Sequence, residues 1–252
     1  MVAVAALWRH PIKGHGRERV AAARVASGGT FPWDRTWAIR HGRSRIDPQA
    51  PAWGPKANFL NGMRVPALAA IASRLDEARG EITLTHPQAG AITLRPDDAG
   101  DAQRLLDWLA PLCPEGQAQP DAVVRLDARG MTDTDWPSVS LLNLASNAAV
   151  GRAAGQEIAP ERWRGNIWIE GAEAWAERGW IGRGLRIGGA VLAVRQAITR
   201  CRQTEASPAT GTRDIDMLAL LAEAFGGPQF GIYAEVVQGG EIRAGDAIEV
   251  LP

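Results

Sequence analysis

The sequence predicts a β-rich α+β protein: barrel-like β architecture with a few peripheral helices. Two observations carry the expectation. Many short apolar or alternating runs close on tight-turn residues, and only three stretches show helical spacing. A third observation is an absence. The chain has no G-x-G-x-x-G and no Walker loop, which weakens readings as a nucleotide-binding doubly wound sheet.

The elements follow in order. Val2 to Trp8 and Ala21 to Val25 are short strand-like runs, and Trp37 to Arg40 ends in the turn signal His41-Gly42. Glu81 to Thr85 and Ala91 to Arg95 alternate with period two around a Pro- and Gly-containing turn, a hairpin pattern. From Asp98 to Leu112, Leu105, Leu106, Trp108 and Leu109 share one helical face. Pro111 to Pro120 is rich in proline, glycine and glutamine and is the expected boundary, dividing residues 1–112 from 113–252. Beyond it come a strand at 123–126, a short helix opened by Ser146, a strand at 166–170 and a hairpin turning at Gly188-Gly189. Asp214 to Phe225 is helical, with an aspartate cap and a Gly-Gly-Pro stop, and the end returns to strand.

At 252 residues the chain can bury a real core without a disulfide or metal staple. Its 28 basic and 28 acidic residues cancel, so no global field gathers nucleic acid or an anionic membrane, and any anion site must be built locally. Ten tryptophans could form a stacking groove for single strands, but no basic stripe accompanies them and core packing is the better account. No stretch approaches the about 18 apolar residues of a membrane span, and Met1 to Leu7 lacks a cleavage signal, so a cytoplasmic protein is expected. Two cysteines and four histidines offer no zinc spacing, which makes a four-ligand protein cage improbable.

The residue that opens a functional argument is Cys201. A strand-like run ends at Arg200-Cys201-Arg202, and cations beside a thiol favour the thiolate that binds soft metals or attacks electrophiles. The plainer account is a small buried hydrophobe at a strand end, the commoner fate of a lone cysteine. Cys113, in a turn-rich segment, has no adjacent cation. Lys13 and Lys56 are the only lysines among the 28 cationic residues. A lysine in so arginine-rich a chain hints at a compact ammonium in a confined space, although an ordinary surface lysine after a turn explains Lys13 too.

Thr199-Arg200-Cys201, followed by Thr204 and Pro208-Ala209-Thr210-Gly211, resembles the cofactor-binding segment of the MOSC family, named for the molybdenum-cofactor sulfurase C-terminal domain. Trp8-x-x-Pro11-Ile12-Lys13, Asp34-Arg35-Thr36-Trp37, Arg164-Gly165-Asn166-Ile167 and Phe230-Gly231-Ile232-Tyr233 with Gly245-Asp246 are similar to further motifs of that family, in the same order. The resemblance extends to amidoxime-reducing component proteins and covers nearly the whole chain. It implies an N-terminal β-barrel-like domain and a C-terminal MOSC β-barrel. It also implies a molybdenum cofactor, Mo-molybdopterin, whose metal takes the thiolate of Cys201 as its protein ligand.

By the same resemblance, Lys13, Arg35, Arg164, Asn166, Arg200 and Thr204 would surround the cofactor, with the arginines supplying planar donor forks. Asn143 and Ser146 would place a helix N-terminus against its phosphate; helix capping explains Ser146 equally well. The implied activity is reduction of N-hydroxylated small molecules with electrons from a separate protein. The alternative is a sulfur or cofactor carrier without turnover. Two departures stand out. The run Ala197-Ile198-Thr199-Arg200-Cys201 lacks the first cysteine of the family's Pro-Cys-x-Arg-Cys, which removes local dithiol chemistry, and Glu205 is expected to put a carboxylate near the metal.

Overall fold

Inward-facing apolar side chains define the first strand of the computed structural model, which describes residues 1–252. In β1 (Ala3–Arg9) the buried positions are Val4, Leu7 and Arg9, and the spacing of three between the first two reflects a bulge between Val4 and Ala6. β2 (Ile12–Lys13), β3 (Glu18–Val20), β4 (Ala22–Val25) and β5 (Trp37–His41) follow. β6 (Ala72–Asp76) then leads into the expected hairpin, β7 (Glu81–His86) with β8 (Gly90–Leu94). Helix α1 (Ala99–Leu109) starts where the Asp98 side chain accepts the Asp101 amide, and it buries Leu105, Leu106 and Leu109 as their spacing predicts.

β9 (Pro120–Arg125) turns back to pair antiparallel with β5. This differs from the expected division at residue 112: a strand placed beyond it is hydrogen-bonded into the earlier sheet. The proline-rich stretch before β9 is a loop within that sheet's connections, because loop composition alone does not reveal where the next strand pairs. β10 (Val139–Asn143) is buried at all five positions. Helix α2 (Leu144–Ala154) is capped by the Asn143 side chain, which accepts the Ala145 amide, so it opens before Ser146. β11 (Ile167–Glu170), β12 (Gly184–Ile187) and β13 (Ala190–Thr199) precede α3 (Met217–Phe225), whose cap is Asp216. β14 (Gln229–Gln238), β15 (Gly240–Arg243) and β16 (Ile248–Leu251) complete the chain.

The strands form four sheets. The largest has eight strands in the order β16-β12-β13-β14-β10-β11-β1-β3; the others are β2-β5-β9, β6-β7-β8 and β15-β4. β1 and β3, from the first 20 residues, therefore lie in the sheet otherwise built after residue 139, and β4 pairs with β15. A 19-residue apolar cluster fills the large sheet and a 15-residue cluster fills the space between the small sheets and α1. Trp37, Trp163 and Trp168 are fully buried. No helix is long and apolar enough to cross a membrane.

Candidate functional site

β13 ends at Thr199, and the chain passes through Arg200 and Cys201 into a single 3-10 turn, Arg202–Glu205. The Cys201 carbonyl accepts the Thr204 amide at 3.0 Å and the Thr204 hydroxyl at 2.9 Å. Thr204 thus fixes the peptide that follows the thiol. Cys201 itself is half-buried and lines a cleft of about 690 Å³, mouth included, walled by residues from both halves of the sequence.

Cations dominate the lining. Lys13, on the two-residue strand β2, donates to the Met131 carbonyl at 2.9 Å and to the Asp133 carboxylate, with Nζ 5.8 Å from the Phe59 ring centre. Burial lowers its pKa, against the pull of Asp133. Desolvation in turn works to raise the Asp133 carboxyl, but Lys13 and Arg35 outweigh it and hold the group well below the usual carboxylate range. Arg35 is in the left-handed region at φ 54°, paired with the buried Asp34 and donating to the Arg164 carbonyl at 3.1 Å. Asp34 also accepts the His10 amide at 2.8 Å and faces His10 Nδ1 at 3.1 Å. Burial, then Arg164, pushes His10 down to about 3, so it stands neutral behind the site.

Arg164 mirrors Arg35, with φ 53°, and donates to the carbonyls of Gly16 at 2.8 Å and His15 at 3.3 Å. Desolvation first, then Arg35, lowers its pKa to about 9. Arg200 donates from Nε to the Phe230 carbonyl and from Nη1 to the Trp163 carbonyl, both at 2.8 Å. Trp163 and Phe230 stack 3.8 Å apart, and the Arg200 guanidinium sits 5.5 Å and 5.7 Å from their centres. Its remaining nitrogen, Nη2, is buried without a partner, and desolvation, with Arg35 contributing, lowers the group to about 10.

The structure thus brings Cys201, Lys13, Arg35, Arg164, Arg200 and Thr204 to one cleft. It does not bring Asn143, Ser146 or Asn166 there. Asn143 Nδ2 donates to the Glu173 carbonyl and to Glu177, while the Ser146 hydroxyl donates to both Glu177 oxygens at 2.8 and 3.1 Å. The fully buried Glu177 carboxylate occupies the anion position expected for a phosphate at this helix start. Asn166 Oδ1 accepts the amide and hydroxyl of Ser140, and its Nδ2 donates to the Trp8 carbonyl, tying β10 to β1. Glu205 is likewise turned away: it is buried against Arg202 and Arg213 at 2.9 and 3.1 Å. Arg202, one of the two arginines flanking the thiol, is spent on that contact.

Among the lining residues outside the expected set, four carry titratable groups. Arg162 is buried in a two-pronged pair with Asp214 at 2.8 and 2.9 Å and also donates to the Thr204 carbonyl, so it braces the loop carrying the thiol. Its place in the basic run before β11 was the available signal. Asp133 lies in the polar Thr132-Asp133-Thr134-Asp135 stretch, which gives no local hint of a cleft 120 residues away from its lysine. Tyr233, the only tyrosine, lines the cleft from β14, and burial together with Asp133 pushes its phenol up to about 12. Lys56, singled out by rarity, sits on a 3-10 turn at the cleft.

Six cationic side chains thus face one lining carboxylate. The downward shifts of Arg164 and Arg200 express positive charge gathered out of water, which a bound anion would relieve. No three His, Cys, Asp or Glu side chains converge to hold a metal ion. A single thiol with an anion cradle fits a metal that arrives with its other ligands on a large anionic carrier, and the unpartnered Arg200 nitrogen is consistent with such a guest.

The MOSC N-terminal beta barrel domain matches residues 1–128 and the MOSC domain matches residues 134–249. No curated protein matches the chain. Among crystal structures, the chain is similar to the YUAD protein from Bacillus subtilis, with 14% identity, a TM-score of 0.46 and coverage of 99% of this chain and 96% of that one. It is also similar to YiiM from Geobacillus stearothermophilus, at 16% identity and TM-score 0.36, over 45% of this chain and 54% of that one. For YiiM from Escherichia coli the values are 19% identity and TM-score 0.34 over the same shares, 45% and 54%. With both domain matches spanning the chain and a cysteine-bearing cationic cleft between them, the protein belongs to the MOSC family, which is linked to molybdenum-cofactor binding.

Proposed function

We propose that the cleft holds the molybdenum cofactor, with the Cys201 thiolate as the protein's ligand to the metal. The protein then acts as an oxidoreductase on N-hydroxylated small molecules. The observation that carries this reading is the half-buried thiol opening into a cleft with five internally held cations, its one lining carboxylate paired with Lys13, and no group of three metal-binding side chains. In the overall reaction the N–O bond breaks, two electrons from a separate redox protein and two protons are taken up, and the oxygen leaves as water. The bound group supplies the two-electron couple and the oxygen-accepting centre. This chain's residues do the rest. Thr204 holds the Cys201 carbonyl so that the thiol keeps its place at the cleft. Arg164, Arg35 and Arg200, each fixed through backbone carbonyls, present charge without the reorganisation a free side chain needs. Arg162 ties the thiol's loop to α3's approach through Asp214.

Protein made in a host competent for molybdopterin synthesis should carry about one molybdenum per chain, with the metal lost in Cys201→Ala while the fold is kept. Reduction of an N-hydroxylated amidine with an artificial electron donor tests the activity. Molybdenum without turnover would favour a cofactor carrier, and full metal retention in Cys201→Ala would overturn the ligation.

A further inference from the structure

Lys56 is the one cation of the cleft with no internal partner. Lys13 is held by Met131 and Asp133, Arg35 by Asp34, Arg162 by Asp214, and Arg164 and Arg200 by backbone carbonyls. The Lys56 ammonium makes no hydrogen bond and no ion pair, although its main chain is fixed: the Lys56 carbonyl accepts the Phe59 amide at 3.2 Å and Asn61 Nδ2 at 3.0 Å. The residue is half-buried between exposed Pro55 and Ala57, which puts it at the mouth of the cleft rather than its floor. It acts electrostatically on both Lys13 and Asp133, so it shares their space. The chain's two lysines, out of 28 cationic residues, thus meet in one cleft.

The two are used differently. Lys13 is buried and paired with Asp133, whereas Lys56 keeps an unpaired ammonium at the cleft, and a lysine's long stem lets such a point charge follow ligands of different shape. We propose that Lys56 is a specificity-determining residue that receives an anionic group, a carboxylate, on the substrate. This rests on the reading of the cleft as the reaction site. The substrate class is then N-hydroxylated compounds bearing a carboxylate remote from the N–O bond. Their negative end is seated at Lys56 while the reacting end points inward to Cys201.

Benzoate and its neutral isostere benzamide serve as probes on the molybdenum-loaded protein, read by calorimetry or by competition against a carboxylated N-hydroxy substrate. The expected result is tighter binding of benzoate than benzamide, a preference cut about fivefold in Lys56→Gln and kept in Lys56→Arg. Benzamide binding, molybdenum content and melting temperature should not change. The proposal is overturned if the probes bind alike, if Lys56→Gln leaves the preference intact, or if Lys56→Gln loses molybdenum, which would assign the lysine to the cofactor. Should no N-hydroxy compound be reduced, the proposed reaction fails, yet the benzoate comparison still decides the role of Lys56.

Discussion

Gly231 and Arg200 are in direct apposition: a β-carbon on Gly231 would stand 3.3 Å from Arg200 Nη2. The same carbon would lie 2.9 Å from both the Leu141 carbonyl oxygen and Leu142 Cγ, and the residue has φ +78°. Gly231→Ala should therefore cost about 1–3 kcal/mol through the left-handed backbone alone. It should also displace the guanidinium beside the thiol. Urea unfolding measures the first effect, and reduced molybdenum retention in the folded variant measures the second.

Ser146 distinguishes an internal role from a cofactor role. Its hydroxyl satisfies the buried Glu177 carboxylate and accepts the Trp175 amide at 2.8 Å. Ser146→Ala should destabilise the protein by about 1–3 kcal/mol, because the carboxylate stays buried with fewer donors. Molybdenum content of the surviving folded protein should match the parent. Denaturation midpoints and metal analysis on the same preparation check both.

The two cysteines should separate under alkylation. Cys113 is buried, its thiol directed to the Leu109 carbonyl at 3.6 Å, and burial pushes it up to about 11. Cys201 opens on the cleft. In native, cofactor-free protein at pH 7.5, iodoacetamide should label Cys201 and leave Cys113 unmodified until denaturant is added. Peptide mass mapping identifies the site.

Stability should fall as the solution is acidified below the ordinary histidine value. Burial lowers His10 to about 3 and His15 to about 4 from 6.5, so between those values the unfolded chain binds protons the folded chain refuses. Stability is then full above about pH 6.5 and declines toward pH 4. Asp34 and Asp133, held below the usual carboxylate value, add a further loss only beneath about 3.8. Melting temperatures at pH 7.5, 6 and 5 should show the first decline, and His15→Gln should flatten part of it.

Local patterns proved the most legible. The alternation of Ile82, Leu84 and Leu94 and the stripe of Leu105, Leu106 and Leu109 declare a hairpin and a helix because one face of each is buried in the same apolar cluster. Pairing across the chain was not legible: nothing in Val123-Val124 says that its partners are Ile39 and Ala38. The site divides along the same line. Cys201, Lys13, Arg35, Arg164, Arg200 and Thr204 stand at the cleft, where Thr204, Arg164 and Arg200 bond main-chain carbonyls, Lys13 and Arg35 also pair with Asp133 and Asp34, and Cys201 opens to the cleft. Asn143, Ser146 and Asn166 carry the right chemistry but spend it on neighbours that only the folded structure supplies. Asp133 was missed for the converse reason: a carboxylate in a polar stretch acquires meaning only from a lysine brought to it by the fold.

The placement of β1 in the large sheet sets a timetable for folding. Ala3 pairs with Glu170 and Leu7 with Ile167, so β1, whose one edge can pair early with β3, keeps its other edge open until β11 has emerged about 160 residues later. At ordinary elongation rates that interval is on the order of ten seconds. During it the β11-facing edge of an apolar strand stands unpaired, a state prone to intermolecular association. The two sequence domains are therefore not separable folding units. A fragment ending near residue 128 leaves β1 without β11, and one starting near residue 134 leaves β11 without β1, so neither half retains the complete sheet that carries Cys201.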